Sequence, residues 1–95
     1  MKIIHKPTNL VNAKEMNSQY PDTFLIPSKK EINKIGIKSC VKISNGVERF
    51  WVTITLIMND TIVGKINNDL IIDEGYDIDD LIEFKFENIL EIDNS

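Results

Sequence analysis

The chain has 95 residues, of which 42% are hydrophobic and 27% charged, and its formal net charge is −4. This balance predicts one globular domain over residues 1–95 and excludes a disordered chain. The single cysteine, Cys40, excludes an internal disulfide and favours a cytoplasmic location. The longest apolar run, Phe50 to Met58, is too short for a membrane helix, so no membrane partner is expected.

The N-terminal segment predicts one helix, over about Leu10 to Gln19. A cap at Thr8 or Asn9 can begin this helix, and its apolar residues form a rough stripe. Pro21 ends it, because a proline disfavours helical backbone at the residue before it.

A short strand and a helix start follow. Phe24 and Ile26 alternate with other positions within residues 22–26, which predicts the strand. Ser28 and Glu31 have the spacing of a capping box, so a helix of one to two turns is expected to begin there.

The chain is β-rich from Lys38 onward. Asn45-Gly46 is a strong hairpin signal, because both residues tolerate positive φ. The long strand that follows, Val47 to Met58, has apolar even positions, which predicts that its even face lies in the core. Asn59-Asp60 predicts the next turn, and Gly64 predicts a bulge or a close backbone approach in the next strand. A long polar connection follows this strand. The last predicted elements are a strand over 81–86 and a turn or edge segment over 87–92.

These elements predict an α+β fold. We expect a small, strongly bent antiparallel sheet or SH3-like partial barrel of four to five strands, with one N-terminal helix. The core predicted from the alternation is Phe24, Ile26, Val41, Ile43, Phe50, Val52, Ile54, Leu56, Ile62, Ile66, Ile82, Phe84 and Phe86.

Three segments resemble the YegJ-like group of small bacterial domains of unknown function. They are the Pro21-Asp22-Thr23-Phe24 segment, the Glu48-Arg49-Phe50-Trp51-Val52 strand, and the turn that leads from Gly64 to Asp69. The resemblance covers about residues 11–92 and implies a fold, but no activity or cofactor. The family tends to place Gly-Asp turns before its first and last barrel strands. This chain has Lys38-Ser39 and Asp79-Asp80 there, which puts the family's turn geometry in doubt.

The sequence contains few residues that could carry out catalysis. His5, the only histidine, lies near a terminus, and we expect it to have no neighbouring carboxylate. Cys40 has Lys38 and Lys42 on its own strand face, but it has no histidine partner. There is no glycine-rich phosphate loop and no nucleophile-elbow motif. We therefore expect no catalytic residue, no cofactor and no enzyme activity.

The most distinctive surface candidates are Arg49, Trp51 and Thr53, which share the odd face of the central strand. An arginine beside a tryptophan is typical of an interface anchor, and the pair is also suited to stacking on a base. The alternative is that the N-terminal helix covers Trp51 and closes a second small core.

The second candidate is the acidic run Asp73, Glu74, Asp77, Asp79 and Asp80. Residues 66–95 carry ten acidic residues and one lysine, whereas residues 1–65 carry ten basic and five acidic residues. The run can steer a basic partner, or its acids can pair with lysines across the sheet. A calcium loop is the third interpretation, but the spacing does not fit an EF-hand, so no metal is expected.

These observations favour a non-enzymatic protein-binding module, such as a phage or mobile-element accessory protein or inhibitor that docks on a larger protein machine. The partner-binding residues predicted are Arg49, Trp51, Thr53 and the acidic run. The alternative is a nucleic-acid-binding small barrel that uses the basic N-terminal two-thirds, although the net charge of −4 weakens it.

Overall fold

The computed structural model describes residues 3–72 and 74–93 as a small α+β domain. Its strands are β1 (Ile4–His5), β2 (Cys40–Ser44), β3 (Arg49–Met58), β4 (Thr61–Ile66), β5 (Leu81–Lys85) and β6 (Glu91–Asp93). Its helices are α1 (Ala13–Gln19), α2 (Lys29–Ile32) and a 3-10 helix over Phe86–Asn88.

The strands form one six-stranded sheet in the order β1-β5-β4-β3-β2-β6. β1 pairs in parallel with β5, and all the other pairs are antiparallel. The α+β class is confirmed, and the open sheet is compatible with a partial barrel. The predicted four to five strands and the wholly antiparallel sheet are wrong, because two very short edge strands, β1 and β6, add to the four that alternation indicates.

The core lies on one face of this sheet. Directly opposed pairs such as Val41 with Val52, Ile43 with Phe50 and Ile62 with Phe84 place buried side chains side by side. The predicted core is confirmed at these positions and at Ile54, Ile66 and Ile82. Tyr76, Ile89 and Leu90 are further buried residues that the alternation did not indicate.

The second half of β3 departs from the expected alternation. A register shift between Ile54 and Leu56 leaves Thr55 as an extra residue, which reverses the side-chain direction beyond it. Leu56 and Met58 are consequently 45% and 61% exposed, so the prediction that they face the core is wrong. Ile57 packs against the core instead. The predicted close backbone approach at Gly64 is confirmed, and the bulge itself lies in β3, opposite Gly64.

The predicted strand over residues 22–26 is also wrong, since the described backbone there is a turn followed by irregular chain. The Phe24 backbone N–H donates to the Tyr20 carbonyl at 2.8 Å, and its carbonyl accepts from the Asn17 side chain at 2.7 Å. Because both groups are satisfied locally, they join no strand ladder. Phe24 and Ile26 are only partly buried, which corrects their assignment to the core.

Side-chain caps determine where the helices begin. The Asn12 side chain accepts from the Glu15 N–H at 3.1 Å, so α1 begins at Ala13 and not at Leu10. Val11 N–H donates to the Ser44 carbonyl at 2.9 Å, which ties the chain before α1 to the end of β2. The predicted capping box of Ser28 and Glu31 is confirmed at the start of α2.

The two hairpin turns are confirmed. The Asn45 side-chain oxygen accepts from the N–H groups of Val47 and Glu48, both at 2.9 Å, and Gly46 has φ of +87°. Asn59, in the turn between β3 and β4, has φ of +57°. Both turns therefore use residues that tolerate the left-handed conformation.

Lys38 and Asp79 are in the same conformation, with φ of +77° and +72°. Glycine is the residue that adopts positive φ without strain. Both turns therefore hold a non-glycine residue in the left-handed region.

Candidate functional site

The sheet has a second face, opposite the core, and Trp51 and Thr53 lie on it. Val52, between them, is fully buried in the core, and alternation directs its two neighbours to the opposite side. We call this side the outer face. Trp51 stands opposite Lys42 of β2, and Thr53 stands between Cys40 and Lys65.

Trp51 is held from several directions. The Lys42 ammonium lies 4.8 Å from the centre of its ring, a cation–π contact, and the same ammonium lies 3.4 Å from a Glu91 carboxylate oxygen. The Trp51 backbone N–H donates to the Asn68 side-chain oxygen, and its carbonyl accepts from the Asn67 N–H at 2.9 Å. The backbone that carries the indole is thus hydrogen-bonded on both sides, and the Trp51 side chain remains partly exposed.

Arg49 has the same strand parity as Trp51 but contacts a different aromatic ring. Its guanidinium carbon lies 5.8 Å from the centre of the Phe24 ring, and the residue is exposed. The structure therefore places both predicted residues on β3, with Lys42 rather than Arg49 as the cation at the tryptophan.

Thr53 belongs to a small polar cluster. The Asn67 side-chain amide donates to the Thr53 hydroxyl and to the Cys40 sulfur, the latter at 3.5 Å. This bridge attaches the start of the 67–80 connection to the middle of the outer face.

Helix α1 does not lie over Trp51. Ala13, its buried residue, lines a cavity with Phe86 and Ile89, and Ile89 belongs to the core cluster. The helix is therefore on the core side of the sheet. The alternative in which the N-terminal helix covers the tryptophan is not the arrangement observed.

Leu56 and Met58 extend the outer face towards the turn between β3 and β4. They stand opposite Val63 and Thr61, in line with Trp51 and Thr53 along β3. The alternation of apolar residues did not identify them as outer-face residues, because the pattern in the sequence shows no break at Thr55. Gly64, across from the register shift, was the signal in the sequence that could have identified them.

Three lysines of the outer face lie beside carboxylates. Lys42 pairs with Glu91 and Lys65 with Asp79, both at 3.4 Å, and Lys85 with Asp60 at 3.9 Å. Each of these cations therefore has an acidic neighbour, and one of these acids, Asp79, belongs to the acidic run.

The described residues of the acidic run have different contact partners. The Asp77 carboxylate accepts from the N–H groups of Leu70 and Ile78 at 2.9 and 2.7 Å, and these hydrogen bonds lower the pKa of Asp77. Asp80 accepts from the Asp77 N–H at 2.9 Å, and Asp79 pairs with Lys65. Glu74 is partly buried, and Asp73 lies outside the described residues.

The 67–80 connection is also anchored by a residue outside the run. The Glu48 carboxylate accepts from the N–H groups of Ile71 and Ile72 at 3.2 and 2.9 Å. Tyr76 is buried between the rings of His5 and Phe50, and its hydroxyl accepts from the Asn45 side chain at 3.1 Å. Carboxylates and one aromatic ring thus determine the shape of this loop.

His5 and Cys40 are far apart. His5 lies 3.5 Å from an Asp80 carboxylate oxygen, so the prediction that it has no neighbouring carboxylate is wrong. Cys40 is four strands away from His5 in the sheet, a separation of roughly 19 Å at ordinary strand spacing. Within residues 3–72 and 74–93, no group of three or more histidine, cysteine or acidic side chains is arranged to hold a metal ion.

Of the helices in the described part of the chain, none has the length and apolar character needed to cross a bilayer. No protein-family model, curated protein or solved structure matches the chain. The resemblance to the YegJ-like domains stays a prediction.

Proposed function

We propose that the chain is a non-enzymatic protein-binding module that docks on a larger protein through the outer face of its sheet. Trp51 is the central anchor, with Leu56 and Met58 on one side along β3 and Arg49 on the other. Trp and Arg are the residues most enriched among those that dominate binding energy at protein interfaces.

The observation that supports this proposal best is the combination of exposed apolar side chains with neutralised cations on one face. Leu56 and Met58 are exposed on the same face as the partly exposed Trp51, further along β3 beyond Thr53. An apolar patch with a polar rim is typical of protein interaction sites. The paired lysines form that rim here.

The same ion pairs weigh against nucleic-acid binding through the outer face. Phosphate recognition requires cations that can exchange small counterions for phosphate groups. Lys42, Lys65 and Lys85 already have carboxylate partners, so binding a phosphate would mean breaking these pairs. The net charge of −4 adds an unfavourable long-range term.

Two further observations support a role without catalysis. His5 and Cys40 lie on opposite sides of the sheet's central strands. The carboxylates of Asp77, Asp79 and Asp80 contact backbone N–H groups, a lysine and His5, and the backbone contacts shape the loop.

The proposal is tested by affinity capture from nuclease-treated extract of the cells in which the chain is expressed. Wild type is compared with Trp51→Ala and with Leu25→Ala, an exposed apolar residue outside the sheet. We expect one protein that wild type and Leu25→Ala retain and Trp51→Ala loses. Binding to random DNA or RNA that weakens steeply with salt, together with no captured protein, would favour the nucleic-acid function instead.

A further inference from the structure

An open cavity of about 350 Å³ lies on the core side of the sheet, lined by residues of α1, α2, the 3-10 helix and the segment before α2. Its floor is apolar. Ala13 and Ile89 are each 1% exposed, and Ile32 and Phe86 pack against the core cluster. This volume is at the small end of the range that ligand pockets occupy, about 300–1,000 Å³.

The rim of the cavity is charged and predominantly positive. Lys14 and Lys29 line it, with Glu87 as the acidic residue. Within the described part of the chain, neither lysine takes part in an ion pair, in contrast to the lysines of the outer face. The cavity thus combines an apolar floor with cations available at its mouth.

We propose that this cavity binds a small amphipathic anion, of the class of a medium-chain carboxylate. The apolar chain contacts Ala13, Ile32 and Ile89, and the carboxylate faces the ammonium groups of Lys14 and Lys29. A cationic amphiphile of the same size would meet two like charges, which disfavours it. This site is on the opposite side of the sheet from Trp51, so it can be tested independently of the proposed protein binding.

The direct test is a titration of isotopically labelled protein with octanoate, followed by its amide NMR signals. Octanoate is expected to shift signals of residues 13–14, 29–33 and 86–89 at millimolar concentration, while octylammonium, with the same tail, does not. Because each buried methylene contributes about 0.8 kcal/mol, the two extra methylenes of octanoate should make it bind about fifteenfold more tightly than hexanoate.

Charge-reversal variants test the role of the rim. Lys14→Glu combined with Lys29→Glu should weaken octanoate binding about tenfold, the effect of losing a charge-assisted hydrogen bond. Lys34→Glu, an exposed lysine that does not line the cavity, is the control and should bind like wild type. All three sites are exposed, so the fold should persist, and the NMR spectrum verifies it.

Three results would overturn the proposal. They are the absence of shifts at millimolar octanoate, equal binding of octylammonium, and shifts confined to the outer face. An apolar side chain of a protein partner would then be the better candidate for the cavity.

Discussion

At the scale of single residues, Gly64 shows how one position shapes both faces of the sheet. A Cβ atom there would lie 3.2 Å from the Val52 Cβ, 3.2 Å from a Phe84 ring carbon and 3.1 Å from the Thr53 carbonyl oxygen. The sequence allowed a close approach at Gly64 to be predicted from one glycine within a strand pattern. It did not identify the neighbours, because these depend on which strands pair and in which register.

Gly64→Ala is expected to destabilise the domain by about 1–3 kcal/mol, the usual cost of overpacking a core. The measurement is urea unfolding. Gly36→Ala is the matched control, since a Cβ at Gly36 would have no heavy atom within 4 Å. Equal stability of the two variants would show that Phe84 and Val52 do not pack against Gly64 as described.

Phe84→Ala removes a ring that is 2% exposed in the centre of β5. We expect a loss of about 3–5 kcal/mol, from lost burial and from the cavity left behind. That is a large share of the stability of a small domain. An unchanged melting temperature would mean that the inward face of β5 is misassigned.

At the scale of elements, alternation predicted β2, β4, β5 and the first half of β3, because each has one face in the core. The alternation gave wrong predictions where another interaction determines the conformation of the backbone. Thr55 is an extra residue that no change in composition marks, and local hydrogen bonds of Phe24 replace the ladder of the predicted strand. β1 and β6 have two and three residues, too few for a period to be visible.

The 67–80 connection depends on carboxylates for its shape, which makes it sensitive to acid. Hydrogen bonds from Leu70 and Ile78 lower the pKa of Asp77 in the folded state. A carboxyl group whose pKa is lower in the folded than in the unfolded state stabilises the fold at pH values above its unfolded pKa, which is about 3.9 for aspartate. This contribution is lost as the pH falls through the folded pKa.

Asp77→Asn should therefore lower the melting temperature at neutral pH, and the difference from wild type should shrink as the pH falls below about 4. Asp69→Asn removes the same charge from the same loop and serves as the control. A difference from wild type that is constant with pH would contradict the role assigned to the Asp77 carboxylate.

At the scale of the whole molecule, folding brings some of the unevenly distributed charges along the chain into pairs. Lysines from β2, β4 and β5 meet carboxylates from other segments of the chain. The sequence indicated Arg49, Trp51 and Thr53 through their shared parity, and the structure brings Trp51 and Thr53 to the outer face. The sequence could not indicate Lys42 as the partner of the Trp51 ring, because that contact depends on the register of β2 against β3.

The residual negative charge of the acidic run can still affect association. Glu74→Gln combined with Asp79→Asn should slow association with the captured protein about threefold and flatten its salt dependence, with little change in dissociation. The loss of the exposed Lys65–Asp79 pair should cost at most about 1 kcal/mol of stability. Stopped-flow mixing at low and high salt measures the rates, and an association rate unchanged by these substitutions would exclude steering.

The central claim is that the outer face binds a protein through Trp51, and calorimetric titration of the captured partner tests it most directly. Trp51→Ala should raise Kd at least tenfold, as expected for a tryptophan that contributes about 2 kcal/mol, while Leu25→Ala leaves Kd unchanged. Both variants should keep the wild-type fold by circular dichroism. Equal Kd values for wild type and a correctly folded Trp51→Ala would contradict the account.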